Sequence, residues 1–240
     1  MKPIRKRLAA LAAALPLLAG CAGKPSQAEL DDARQHAVFV HDAAAWQRLE
    51  EWAGDDDPAA QRTLAEALSS AGGIEGWRKA RPWYEKAAAG GDAWSAFRLA
   101  RIYAKGLGVA VDAGESGRWL TLAAQRRQPD AACMLGLRAK DGGDARAAWQ
   151  WFELAAQQGS AEAMFQLGIA YQEGLGVAVD LPRARGWYEK AARLEMPAAL
   201  QTLAMAYEGG DLGLTKDPAK ASELFNLAAH AVHDFESALF

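Results

Sequence analysis

Few residues in this chain combine the types and spacing that chemistry demands. His230 and His233 stand three apart in a helix-compatible segment and can share a metal ion, yet no third ligand lies at a suitable spacing. A terminal helix also uses histidine to cap its own carbonyls, which is the better account. His36 and His41 offer less. The run Asp55-Asp56-Asp57 ahead of Pro58 carries enough charge for a cation, but it sits where a helix start draws acids, and capping is favoured. Gly106-Leu107-Gly108 and Gly174-Leu175-Gly176 look superficially like phosphate loops. Each follows a helical pattern instead of a strand and lacks a downstream Lys-Ser, so both read as turns. Cys133 has no histidine nearby in the helix pattern to lower its pKa, and reads as a small core or groove residue. No G-x-S-x-G, H-E-x-x-H or Cys-His dyad spacing occurs. Neither catalysis, nor a cofactor, nor a metal is expected, so function must reside in a surface.

The elements that would build such a surface are read from residues 161–194. Between Ala161 and Glu173, Ala163, Phe165, Leu167, Gly168, Ala170 and Tyr171 crowd one side of a helical period. Gly174 can close that helix, and Asp180 with Pro182 opens a second one whose stripe is Ala184, Trp187, Tyr188, Ala191 and Ala192. The first-helix pair Leu167-Gly168 recurs as Leu64-Ala65, Leu99-Ala100, Leu135-Gly136 and Leu203-Ala204. The second-helix pair Ala191-Ala192 recurs as Ala87-Ala88, Ala123-Ala124, Ala155-Ala156 and Ala228-Ala229. Four residues before each alanine pair stand Trp83, Trp119, Trp151, Trp187 and Leu224, a large knob facing two small holes. From the alanine pair to the next leucine the step is always 12, whereas from leucine to alanine pair it is 23, 24, 20, 24 and 25. A fixed step predicts a rigid turn with shared packing, and a variable one predicts a surface loop that tolerates length change. The third copy keeps only Asp141-Gly142-Gly143-Asp144 of that loop.

The pattern A-x-A-x-x-x-L-G-x-x-Y, then G-x-G-V-x-x-D, then A-x-x-W-Y-x-x-A-A, resembles the Sel-one-like repeat, a relative of the tetratricopeptide repeat. The resemblance covers roughly Pro58 to Ala229. Departures are Leu68 and Ala139 at the tyrosine position and a longer fifth loop through Leu214 and Lys216. It implies an all-α, right-handed superhelical solenoid of five helix-pair repeats over 58–229, with N-terminal capping helices over 29–57 and a C-terminal capping helix over 230–240. The 12-residue rule makes Trp46 to Ala53 an orphan second helix that covers the first repeat.

Residues 1–20 carry Lys2, Arg5, Lys6 and Arg7 ahead of the apolar run Leu8 to Leu18, and read as a signal peptide. Leu18-Ala19-Gly20-Cys21 resembles the bacterial lipobox, which implies lipidation of Cys21, a tether over 21–28, and residence in the envelope, on the outer membrane facing the periplasm. The membrane would then be met through the lipid alone. Removing four cations takes the net charge from -3 to -7, which argues against nucleic acid. With Cys21 acylated, Cys133 has no disulfide partner.

In tetratricopeptide-like superhelices the concave face comes from the first helix of each pair. The resemblance therefore implies a partner-binding wall of Trp94, Phe97, Arg101, Leu137, Phe165, Ile169, Gln172, Gln201 and Met205, flanked by Arg62, Glu66 and Glu208. Phe97 and Phe165 are equally readable as groove or as core. The expected function is a protein-interaction module, an adaptor or scaffold whose partner is another protein. One alternative is a periplasmic immunity protein that neutralises a secreted toxin such as a phospholipase. A second is a cell-wall-associated hydrolase.

Overall fold

A computed structural model describes residues 24–237, with side chains to residue 232. The signal segment and Cys21 lie outside the described residues, and so do the side chains of His233, Phe235, Leu239 and Phe240. Twelve α-helices follow in order: α1 (Gln27–Gln35), α2 (Ala43–Gly54), α3 (Pro58–Ala71), α4 (Gly73–Ala89), α5 (Ala93–Lys105), α6 (Ala113–Gln125), α7 (Pro129–Asp141), α8 (Ala145–Gln157), α9 (Ala161–Glu173), α10 (Leu181–Arg193), α11 (Pro197–Gly209) and α12 (Pro218–Ser237). A π-helical turn, His36–Val40, extends α1 and ends at His41 in a left-handed conformation. Among the described residues there is no strand, and no helix is long and apolar enough to cross a membrane. The odd-numbered helices α3 to α11 are the first helices of five pairs, and extensive packing joins each helix to its neighbours along the chain.

The invariant 12-residue step has a backbone cause. After α4, α6, α8 and α10 the N–H of Asp92, Gln128, Ser160 and Met196 donates to the carbonyl of the first residue of each alanine pair, Ala87, Ala123, Ala155 and Ala191. The residue before each donor, Gly91, Arg127, Gly159 and Glu195, has positive φ, which reverses the chain. Asp56, at φ 55, holds the same place between α2 and α3, so the chain reverses there at the matching residue. Asp57, Asp92 and Ser160 then cap the following helices, and the Asp57 carboxylate accepts from the Ala59 N–H. Asp57 is thereby a cap, as its sequence setting predicts.

The loops within repeats leave most of their residues exposed. They vary in length but close on one bond: Asp112, Asp180 and Asp217 donate their N–H groups to the carbonyls of Tyr103, Tyr171 and Tyr207, and in the short third loop Asp144 donates to Ala139. The complete loops are also pinned inward. Gly108 lies against the backbone of Ile74 and Arg78, and Gly176 against the Ala145 carbonyl, so a Cβ at either would strike the start of the preceding repeat's second helix. Leu107, Val109 and Val177 pack on the core. From the second repeat to the fifth the closing bond is kept while the loop changes length, and the loops stay at the surface apart from these inward contacts.

In α4, α6, α8 and α10 the deep knob is the residue after the tryptophan. Tyr84, Leu120, Phe152 and Tyr188 are buried, while Trp83, Trp119, Trp151 and Trp187 are half-buried. One residue is about 100° of helical rotation, enough to carry the tryptophans to the flank. There Trp83 and Trp187 each touch two core clusters and so bridge the stack, and Lys86 and Lys190 cover their rings at 4.2 and 3.7 Å. Gly136 and Gly168 lie beneath the rings of Phe152 and Tyr188, which leaves no room for a Cβ. At the far end α12 runs on without a break to Ser237, so residues 230–237 belong to the same helix as Ala228-Ala229.

Candidate functional site

Geometry divides the expected binding wall in two. Phe97 is 5 % exposed and packs in the central core, so it is a core residue and presents no surface to a partner. It shares one buried cluster with Ala96, Ala100 and Cys133, and Trp94 lies against it with ring centroids 5.5 Å apart. Cys133 is buried likewise, and burial pushes its thiol up to about 11, with the Glu162 charge adding to the shift. A thiol in that state is a poor nucleophile.

The others stay accessible. Trp94, Arg101, Leu137, Phe165 and Ile169 are half-buried, and Gln172, Gln201 and Met205 are exposed, Met205 by 54 %. Phe165 leans on Tyr188 at 5.5 Å, and the Tyr188 hydroxyl donates to Gln172 at 2.9 Å. Gln172 therefore holds a core tyrosine while facing solvent. The polar flank is partly consumed within the chain. Arg62 pairs with Asp92 at 3.0 Å, and the Trp94 indole N–H donates to Glu66 at 3.2 Å, forming one end of an open recess of about 590 Å³. Arg101 makes no ion pair among the described residues.

Sequence reasoning missed a second feature. Where the third loop is short, a cavity of about 350 Å³ opens between α7, α8 and α9, lined by Ala148, Trp149, Phe152, Gln166, Ile169 and Ala170 with Lys140 at its edge. The signal was present in the deleted loop and in Ala139 at a tyrosine position, but only packing shows what they leave uncovered. Among the described residues no three His, Cys, Asp or Glu side chains gather as a metal site. His230 is exposed, and the pairing with His233 falls on a side chain outside the described residues.

Comparison with known proteins agrees with the repeat register. No curated protein matches the sequence. Among solved structures, a Sel1 repeat protein from Oxalobacter formigenes is 27 % identical, covering 86 % of this chain and 88 % of that one, with a TM-score of 0.75. The protein c5321, a protective antigen of uropathogenic Escherichia coli with an SLR fold, is also 27 % identical and has a TM-score of 0.71. The match covers 86 % of this chain but only 46 % of c5321, so this chain spans less than half of that protein. The immunity protein Pa5087 of Pseudomonas aeruginosa shares the fold at 17 % identity, with 86 % and 83 % of the two chains covered and a TM-score of 0.53. The Sel1 repeat pattern itself matches residues 78–92, 95–127, 129–160, 161–196 and 197–233, entering the first pair only at α4. With those five segments spanning more than half of its length, the chain belongs to the Sel1 repeat family.

Proposed function

We propose that this chain is an envelope lipoprotein, tethered through lipid on Cys21 to the outer membrane and facing the periplasm, that captures another protein along the wall of its first helices. A Sel1 repeat solenoid is consistent with a protein-interaction module. The observation that carries the reading is the strip Leu137, Ile169 and Met205, large apolar side chains left half-buried or exposed at one matching position of α7, α9 and α11, with Trp94 and Phe165 half-buried at other positions of α5 and α9. Desolvated aromatic and aliphatic anchors with a polar rim supply most of the energy of protein interfaces. The chain is given no catalytic step.

The test pairs Ile169→Glu with Met205→Glu, both on the accessible wall, and compares capture from detergent-solubilised envelope with that by the wild type. Expected is loss of the captured protein at unchanged helical circular dichroism; undiminished capture would show that the wall is not the site. Cys21→Ser tests the tether and should move the protein from the membrane to the soluble fraction. A narrower reading, that the captured protein is a toxin delivered to the periplasm, draws on the lipobox-like segment, and the Pa5087 likeness supports only the scaffold. Deletion should then sensitise cells to toxin-bearing sister cells, and unchanged survival removes that reading.

A further inference from the structure

The junctions between successive repeats are not equivalent. Each has a position, three residues after the Leu of the Leu-Ala or Leu-Gly pair, that points from a first helix toward the second helix before it. At the first junction it is Ile102, fully buried. At the second it is Arg138, whose guanidinium reaches Ser116 at 3.1 Å. At the fourth it is Ala206, and the longer fifth loop supplies the buried Leu212 to the same cluster. At the third junction it is Ala170, and no side chain takes up the space. The third loop is the short one and contributes only Gly143 there. The result is the cavity of about 350 Å³, roofed by Leu175 of the fourth loop. Trp149, at its wall, stands where the neighbouring repeats carry Gly117 and Arg185, and its indole N–H is buried without a hydrogen-bond partner among the described residues.

The chemistry of the lining narrows the ligand. It is almost wholly aliphatic and aromatic, and Lys140 is its one charged residue. Lys140 donates to the Gln166 side-chain oxygen at 3.0 Å and makes no ion pair among the described residues. The Gln166 amide in turn donates to Glu162 at 2.8 Å, so a neutral amide separates the ammonium from the Glu162 carboxylate. An apolar recess of this size, with one fixed cation at its mouth, has the anatomy of a small-molecule site. We propose that it binds a small amphiphilic carboxylate, an aliphatic chain of medium length lying between Phe152, Trp149 and Ile169 with its carboxylate on Lys140 in place of Gln166. The recess shares Ile169 with the apolar strip above, but its enclosed apolar lining and Lys140 carry the proposal without that reading.

Octanoate is the probe, titrated into the full chain while the Trp149 indole cross-peak, assigned with Trp149→Phe, is followed by nitrogen-proton NMR. The expected result is a saturable shift of that peak, with octanol at least about tenfold weaker, the size of one charge-assisted hydrogen bond. Lys140→Gln should weaken octanoate about tenfold and leave octanol unchanged. Ala170→Ile, which copies Ile102, should fill the recess and abolish both. Absence of a saturable shift overturns the proposal, and so does equal affinity for acid and alcohol. Saturation by the capped dipeptide acetyl-Asp-Leu-amide but not by octanoate would make the recess an anchor for a peptide and would also overturn it. Because Lys140 is exposed, its variant keeps the test decisive even if Ala170→Ile does not fold.

Discussion

Two residues show how this fold distributes strain and charge. Glu195 sits at φ 57 in the turn between α10 and α11, where the equivalent turns after α4 and α8 use Gly91 and Gly159. A side chain in the left-handed region costs about 1–2 kcal/mol, of which glycine's greater backbone entropy returns part. Glu195→Gly should therefore stabilise the chain by about 0.5–1 kcal/mol in urea titrations at unchanged m-value; a destabilisation would mean that Glu195 makes a contact that outweighs the strain. Cys133 illustrates the charge side. Burial and the Glu162 charge raise its thiol to about 11 from an ordinary value of 9.0. A group with a raised folded-state pKa holds its proton more tightly when folded. Its contribution to stability is complete below pH 9 and is lost as pH climbs toward 11. Tyr188, raised by burial and the Glu173 charge to about 12 from 10.0, acts in the same direction at higher pH. Urea midpoints measured from pH 8 to pH 11 should fall more steeply for wild type than for Cys133→Ala, and parallel curves would show that the thiol is not protonically coupled to folding.

At the scale of the helices, much was legible because the repeat writes the same constraint several times. Spacing of the Leu-Gly and Ala-Ala pairs locates all five helix pairs and the capping helix α2, since both periods are imposed by local turns that the sequence encodes in Asp, Gly and Pro. What spacing cannot convey is azimuth to within one residue. Phe97 in place of a groove residue, and Tyr188 instead of Trp187 as the deep knob, are both misreadings of which side of a helix meets its neighbour. The inward pinning of Gly108 and Gly176 escaped for another reason, because the atoms they press on belong to the preceding repeat. The cavity escaped because it is defined by side chains that are missing relative to other copies. The pairing of small with large residues between helices is testable. Gly168 lies under the Tyr188 ring, whereas the second repeat sets Ala100 at that position and Leu120 at the tyrosine's. Gly168→Ala should cost about 1–3 kcal/mol through overpacking despite the better helix propensity of alanine. In the double variant with Tyr188→Leu the two losses should add to less than their sum, a coupling that chemical denaturation of the four proteins measures directly. Strict additivity would mean that the ring moves aside freely.

For the molecule as a whole, the decisive fact is that packing runs almost entirely between neighbours along the chain, from α1 through to α12. Stability in such a stack is a sum of local terms and interface terms, so its ends depend on what covers them. The two ends differ. α1 and α2 bury Leu30, Ala33, Ala45 and Leu49 against the first repeat, which closes that side. At the other side α12 has no following first helix among the described residues, and its register shows the consequence. Phe225, at the position where Tyr188 is buried, is 38 % exposed, and Leu227 and Val232 are exposed with it. Helix α12 thus earns stabilisation chiefly from α11, while α5 to α10 are packed from both directions. Native-state hydrogen exchange should accordingly find the amides of α12 the least protected of the repeat region, α11 next, and α5 to α9 the most. Leu203→Ala, a truncation in the core between α11 and α12 expected to cost about 2–5 kcal/mol locally, should lower protection in those two helices and leave α3 to α6 almost untouched. If instead every helix lost protection by the same amount, the chain would be folding as one indivisible unit, and the additive account of this solenoid would have to be abandoned.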